Sequence, residues 1–132
     1  MNGYKIVIEA LRPIKSVPFI IHKHHPRSGS LHYDLRFLDP RDKKLLHSFA
    51  TPSNFLSTIE KKSVIIKTRD HNPRWLTLKS YRLETIDTGE VDVIIATPKY
   101  FQLEFRGNVI NGSYKLFKLK TKRDDQWMLF AK

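Results

Sequence analysis

The chain contains no cysteine. That excludes disulfides, thiolate zinc sites and cysteine nucleophiles, so any metal it binds must sit on histidine, carboxylate or backbone oxygen. No apolar run approaches the roughly 18–20 residues that span a bilayer. The N-terminal MNGYKIVIEALRPIK lacks the basic region, apolar stretch and small-residue cleavage site of a signal peptide. The expectation is a soluble intracellular protein with no membrane partner. Internal repeats, low-complexity tracts and linkers are also missing, so 132 residues read as one domain over 1–132. Acidic residues are scarce: 13 Asp and Glu stand against 24 Lys and Arg, giving a net charge of +11. That excess favours a polyanionic partner, nucleic acid first; the alternative is a solubilising lysine-rich surface.

The apolar residues, 40% of the chain, fall in short runs rich in Ile, Val, Phe and Tyr. Such runs are KIVIEA (5–10), VPFIIHKH (17–24), SLHYDLRF (30–37), KLLHSFA (44–50), SVIIKT (63–68), RWLTLKSY (74–81), VDVIIAT (91–97), YFQLEFR (100–106), SYKLFKL (113–119) and QWMLFA (126–131). Turn residues separate them at Pro40, Asn72-Pro73, Thr88-Gly89, Gly107-Asn108 and Asn111-Gly112. Strand-length runs at this spacing predict an all-β protein, a compact antiparallel β-barrel. One or two short helices are expected beside it, the best candidate being SNFLSTIEKK (53–62), which opens on possible cap residues.

Four of the six histidines fall in HKHHPRSGSLHYDLRF (22–37), beside an aspartate and an arginine. On a strand, side chains alternate between faces. Leu31, Tyr33, Leu35 and Phe37 then point to a core, and His32, Asp34 and Arg36 stand in a row on the other face. Ile20, His22 and His24 share one face of the preceding strand. If HPRSGS (25–30) closes a hairpin, His24 and His32 face each other near its mouth, with Asp34 one pair further in. Two imidazoles and a carboxylate converging in this way can hold Zn, Mn, Fe or Co with open positions. Arg36 would offer a guanidinium fork to phosphate oxygens beside the metal. The competing reading is a cross-strand polar ladder with Asp34 and Arg36 salt-bridged at the surface.

These residues resemble the signature of the 3′-phosphoesterase domain of bacterial and archaeal DNA ligase D, which reads approximately QKH, a short gap, then LHYDFRLE. HSFATPS (47–53) resembles its SWAVPKGPS segment and TRDHNPRW (68–75) its VEDHPLDY segment. GEVDVIIATPKYF (89–101) resembles a shortened GEYGAGTVIVWD, and the tail from Phe101 to Lys132 parallels the family ending. The resemblance covers about residues 17–132. It implies a β-barrel enzyme that removes a 3′-terminal nucleoside and then the remaining 3′-phosphate from DNA or RNA-tipped ends, leaving a 3′-hydroxyl for repair and end joining. The usual metal is Mn2+, with Zn2+ or Co2+ as alternatives. By position, His24, His32 and Asp34 match the metal ligands, with His25 as an alternative to His24. Arg36 matches the arginine on the scissile phosphate, and His71 a second histidine at the phosphate. Arg27, Arg69 and Arg74 are candidate phosphate contacts. The implied partners are DNA or RNA/DNA 3′ ends and a ligase or polymerase of end joining; the implied protein is a cytoplasmic, nucleoid-associated monomer of prokaryotic type.

The sequence departs from that pattern in four places. The gap between His24 and His32 is longer, His22 replaces the glutamine before KH, Ser53 stands where a lysine is expected, and Trp75 replaces a tyrosine. Tryptophan has no hydroxyl to donate to phosphate, so the monoesterase step is expected to suffer. Glu9 and Arg12 are loose counterparts of a charged N-terminal segment, and no ATP-binding lysine motif of a ligase is visible. The alternative function is a catalytically weak or inactive module that binds nucleic-acid ends through the same basic residues, among them the KLKTKR run (118–123). A metal-dependent small-molecule enzyme on a cupin-like barrel accounts poorly for the charge.

Overall fold

A computed structural model of the protein describes residues 15–132; the run expected over 5–10 and the candidates Glu9 and Arg12 lie outside the described residues. Eight strands follow one another: β1 (Lys15–His24), β2 (His32–Leu38), β3 (Leu46–Thr51), β4 (Lys62–Lys67), β5 (Leu83–Thr97), β6 (Tyr100–Arg106), β7 (Asn111–Lys118) and β8 (Gln126–Ala131). They close into an antiparallel barrel in the order β1-β2-β3-β4-β8-β7-β6-β5. The compact antiparallel barrel expected from the spacing of the runs is the fold that forms, and closure leaves no sheet edge exposed.

The alternation read from the sequence sets the two faces. Phe19 and Ile21 of β1 and Tyr33, Leu35 and Phe37 of β2 enter one core, where Phe37 and Phe101 meet edge to face with centroids 5.1 Å apart. One connection is pinned by polar chemistry. Asp87 of β5 is 3% exposed, and its carboxylate accepts the backbone N–H groups of Thr88, Asn108, Val109 and Ile110, each at 2.9 Å. The turn between β6 and β7 is therefore tied to β5. Gly107 makes this possible, because a Cβ there would collide with the Asp87 carboxylate and the Phe19 ring.

Three local expectations are corrected. The helix expected over 53–62 shrinks to one turn, α1 (Phe55–Thr58), because Lys62 already pairs with Phe130 as the first residue of β4. The turn expected at Thr88-Gly89 is instead interior to β5; glycine is needed there because the Arg106 carbonyl of β6 and the Phe19 ring approach too closely for a side chain. The strand expected over 74–81 is a 3-10 turn (Pro73–Leu76) followed by loop. The Asn72 side chain accepts the Arg74 N–H at 2.9 Å and Pro73 supplies the φ of a first helical position, so this stretch turns rather than extends.

That turn belongs to a strap, residues 68–82, which carries the chain from the end of β4 to the start of β5 across the outside of the barrel. Thr68 donates its N–H and hydroxyl to the Ser48 carbonyl of β3, at 3.0 and 3.1 Å. Leu46 and His71 exchange backbone hydrogen bonds at 3.0 and 2.9 Å. Trp75 lies against Arg36 of β2, and the strap ends where the Arg82 carbonyl accepts the His25 N–H at 2.8 Å. Among the described residues, no helix is long and apolar enough to cross a membrane.

Candidate metal centre

The hairpin of β1 and β2 pairs His24 with His32, His22 with Asp34, and Ile20 with Arg36. Because the alternate residues fill the core, this polar row lies on the outer face of the barrel. An outer-face row would normally be solvated, but Asp34 is 5%, Arg36 3% and His22 1% exposed. The strap covers them. Burying ionic groups under a loop is costly unless they are paired, so their partners identify what the arrangement is for.

Three ligand-type atoms converge at its open end. Nδ1 of His24 and Nε2 of His32 face one another at 3.2 Å. Asp34 Oδ2 lies 3.2 Å from His24 Nδ1, and Asp34 Oδ1 lies 3.2 Å from His32 Nε2. Ligands held at about 2.1 Å from a first-row metal are separated by about 3.0–3.4 Å at octahedral to tetrahedral angles, so the two nitrogens, each beside a different oxygen of the Asp34 carboxylate, stand at metal-ligand spacing. The protonation pattern agrees. Burial lowers the His24 pKa, only partly offset by Asp34 and reinforced by His32, so the ring presents a lone pair near neutral pH. Asp34 Oδ2 is buried without a well-directed hydrogen bond. Two imidazole nitrogens and a short-partnered carboxylate fit a divalent cation better than they fit one another.

Behind these groups, Arg36 is spent largely on protein partners. Its Nη1 donates to His22 Nδ1 at 2.9 Å, and Nη2 lies 3.3 Å from Asp34 Oδ2. Burial draws its pKa below the usual guanidinium range while Asp34 opposes this, and an arginine keeps its charge regardless. His22 answers that charge by staying neutral: burial first, then Arg36, lowers its pKa to about 4. Its Nδ1 therefore accepts. Both His22 Nε2 and Arg36 Nε are buried without a partner.

The strap supplies the roof. The Arg36 guanidinium sits 4.7 Å from the Trp75 ring centroid, and the His71 ring meets the same tryptophan edge-on at 4.9 Å. His71 Nδ1 is also buried without a partner, and burial, then Arg36 and Arg69, lower its pKa. The structure thus brings His24, His32, Asp34, Arg36 and His71 to one region. His25 is exposed and outside the ligand group, and Arg27, Arg69 and Arg74 are exposed on the hairpin loop and the strap, where they touch none of the three ligand atoms.

Two features escaped the sequence reading. The alternation along β1 puts His22 on the outer face, but its bond to Arg36 shows only in the paired strands. A second histidine cluster was not foreseen. His47 Nε2 lies 2.7 Å from Asp39 Oδ2, and Asp39 Oδ1 accepts the N–H groups of Arg41 and Asp42 at 2.7 and 3.0 Å. No protein-family model matches the sequence, and no curated protein matches it.

Proposed function

We propose that the protein is a metal-dependent phosphoesterase acting on the 3′ ends of DNA or RNA/DNA strands, removing a terminal nucleoside, a 3′-phosphate or both to leave a 3′-hydroxyl. The observation that carries this reading is the 3.2 Å spacing among His24, His32 and Asp34 with the Arg36 guanidinium directly behind them. His24, His32 and Asp34 would hold the metal, Mn2+ before Zn2+ or Co2+. Such an ion supplies Lewis-acid polarisation of a phosphoryl oxygen and an acidified water. Arg36 fixes Asp34 and puts a permanent positive charge beside the phosphate position. His71, neutral and with Nδ1 unpartnered, accepts or returns a proton at that nitrogen. The net charge of +11 suits a nucleic-acid substrate. The setting that follows is end joining in a prokaryotic type of cytoplasm, on the nucleoid, beside a ligase or polymerase.

One observation favours the alternative, an end-binding module with little turnover. Arg36 is sealed beneath Trp75, with its fork committed to His22 and Asp34. The deciding experiment uses a 5′-labelled primer–template ending in a ribonucleotide or a 3′-phosphate, incubated with Mn2+. Conversion to a 3′-hydroxyl that disappears in His32→Ala supports the enzyme. Product halted at the 3′-phosphate assigns the block to Trp75 and Ser53. Binding without conversion in any divalent metal leaves the end-binding module.

A further inference from the structure

Strand directions in the barrel bring four chain segments to one end. These are the β2–β3 connection (39–45), the end of β4, the β5–β6 turn (98–99) and the β7–β8 connection (119–125). Backbone bonds knit them together: Lys67 N–H donates to the Asp125 carbonyl at 2.7 Å, and Lys118 N–H to the Lys99 carbonyl at 2.9 Å. This pole concentrates cations. Lys67, Lys118 and Arg123 are matched by Asp70, Asp124 and Asp125. Arg41, Lys43, Lys44, Lys99, Lys120 and Lys122 are exposed and form no ion pair with a described residue. At the opposite end, the 107–110 turn carries no charge, the 25–31 loop carries only Arg27 and His25 as basic residues, and Lys61, Lys62 and Lys132 stand beside Glu60. The pole also carries Asp39, Asp42, Asp70, Asp124 and Asp125, but its cations outnumber them nine to five, whereas Glu84, Glu90, Asp92 and Glu104 lie along β5 and β6.

Within this pole lies a cavity of about 230 Å³ whose apolar wall is Pro98, Phe101 and Trp127 and whose polar wall includes Asp39, His47 and two of the cations, Arg41 and Lys67. That volume lies below the roughly 300–1,000 Å³ of pockets for drug-sized ligands, and it suits one planar ring. His47 lines one side of the slot, its ring braced between two carboxylates, with Nε2 2.7 Å from Asp39 Oδ2 and Nδ1 3.7 Å from Asp70 Oδ1. Cations that follow a backbone around an aromatic base slot are the chemistry of single-strand binding.

We propose that this pole is a second nucleic-acid contact, which takes a single strand with its phosphates on the unpaired cations and one unpaired base in the cavity. The strap gives the strand its direction. It leaves the pole at Asp70, which lies 2.8 Å from Lys67, and the next residue, His71, reaches the Arg36 region. A strand whose 3′ end lies at His24, His32 and Asp34 then has its preceding nucleotides on the pole. Only this direction rests on the phosphoesterase reading; the binding surface itself does not.

The test is therefore a binding measurement with an oligothymidylate carrying a plain 3′-hydroxyl, made without metal so that no end is processed. Trp75→Phe protein leaves Trp127 as the reporting fluorophore. Saturable quenching is expected, with clear preference for the single strand over a duplex of the same length. Arg41→Gln/Lys99→Gln/Lys122→Gln should lose about tenfold or more in affinity at about 0.15 M salt, and its log–log salt slope should drop by about 2, at roughly 0.7 per phosphate contact. Lys61→Gln/Lys62→Gln/Lys132→Gln removes equal charge at the other end and should lose far less. Equal losses in the two triple variants, or equal affinity for duplex and single strand, would overturn the proposal. Pole-dependent binding here, together with no conversion of the labelled primer–template in Mn2+, would leave it standing and remove the phosphoesterase reading.

Discussion

Two buried aspartates, Asp34 and Asp87, show how this barrel separates folding from chemistry. They are 5% and 3% exposed, and each lies on a strand. Asp87 is saturated by four backbone N–H groups, three from the β6–β7 turn and one from its own neighbour Thr88, all at 2.9 Å, and forms no ion pair with a described residue. Its partners are fixed by the fold, and its charge is consumed in closing the β6–β7 connection. Asp34 takes no backbone donor in the side-chain bonds described; around it stand His24, His32 and Arg36 at 3.2–3.3 Å. Those are two imidazoles and a guanidinium rather than backbone donors, and Oδ2 remains short of a well-directed bond. A carboxylate that the backbone satisfies is structural, whereas one left among imidazoles at metal-ligand spacing is available.

The comparison breaks most visibly at the ligands. His32→Ala should lower metal-dependent 3′-end turnover by at least about 100-fold, beyond the roughly 10–100-fold typical of partners one step removed from a metal. Its urea unfolding midpoint without metal should move little, because the ring is partly exposed. Asp87→Ala should do the reverse. Four N–H groups, that of Ile110 buried and the others partly so, lose a charged acceptor, so unfolding free energy should fall by about 3 kcal/mol, while the fraction that remains folded binds metal as before. If Asp87→Ala weakened metal binding in folded protein, or His32→Ala unfolded the barrel, the division of labour would be wrong.

His22 sharpens the comparison, since it serves the site without being a ligand. His22→Ala leaves Arg36 Nη1 buried without an acceptor and should cost about 1–3 kcal/mol of stability. His22→Gln restores an acceptor oxygen and should recover most of it, together with turnover. Equal losses for the two variants would deny the positioning role.

The smallest effect concerns Asp39. Burial raises its pKa, but the hydrogen bond from His47 and those from the Arg41 and Asp42 N–H groups prevail, and the carboxyl titrates below its ordinary value. A folded-state pKa below the unfolded value of about 3.9 means stability that is present above that pH and lost as pH falls through the folded value. Asp39→Asn should therefore flatten the acid limb of the unfolding curve below about pH 4 and leave neutral-pH metal binding unchanged.

The sequence made the barrel and the hairpin legible for one reason: the chain alternates strictly where a buried core faces one side. SLHYDLRF sends Tyr33, Leu35 and Phe37 inward and His32, Asp34 and Arg36 outward, and HPRSGS sets the register that pairs His24 with His32. The strap was not legible. RWLTLKSY alternates like a strand, but Asn72 and Pro73 impose a turn, and Trp75 is used to cover Arg36 rather than to fill the core. Gly89 misled in the same way, because a glycine demanded by close packing of Arg106 and Phe19 looks like a turn residue from sequence alone. The Asp39–His47 pair joins a loop to a neighbouring strand, and no periodicity announces such a contact.

Isothermal titration of Mn2+ into metal-free protein, with His32→Ala alongside, tests the central claim most directly. The account predicts saturable binding of one ion per chain in the parent protein and its loss in the variant, with the same far-UV circular dichroism spectrum for both. Absence of saturable binding to the parent protein, or undiminished binding to His32→Ala, would contradict it.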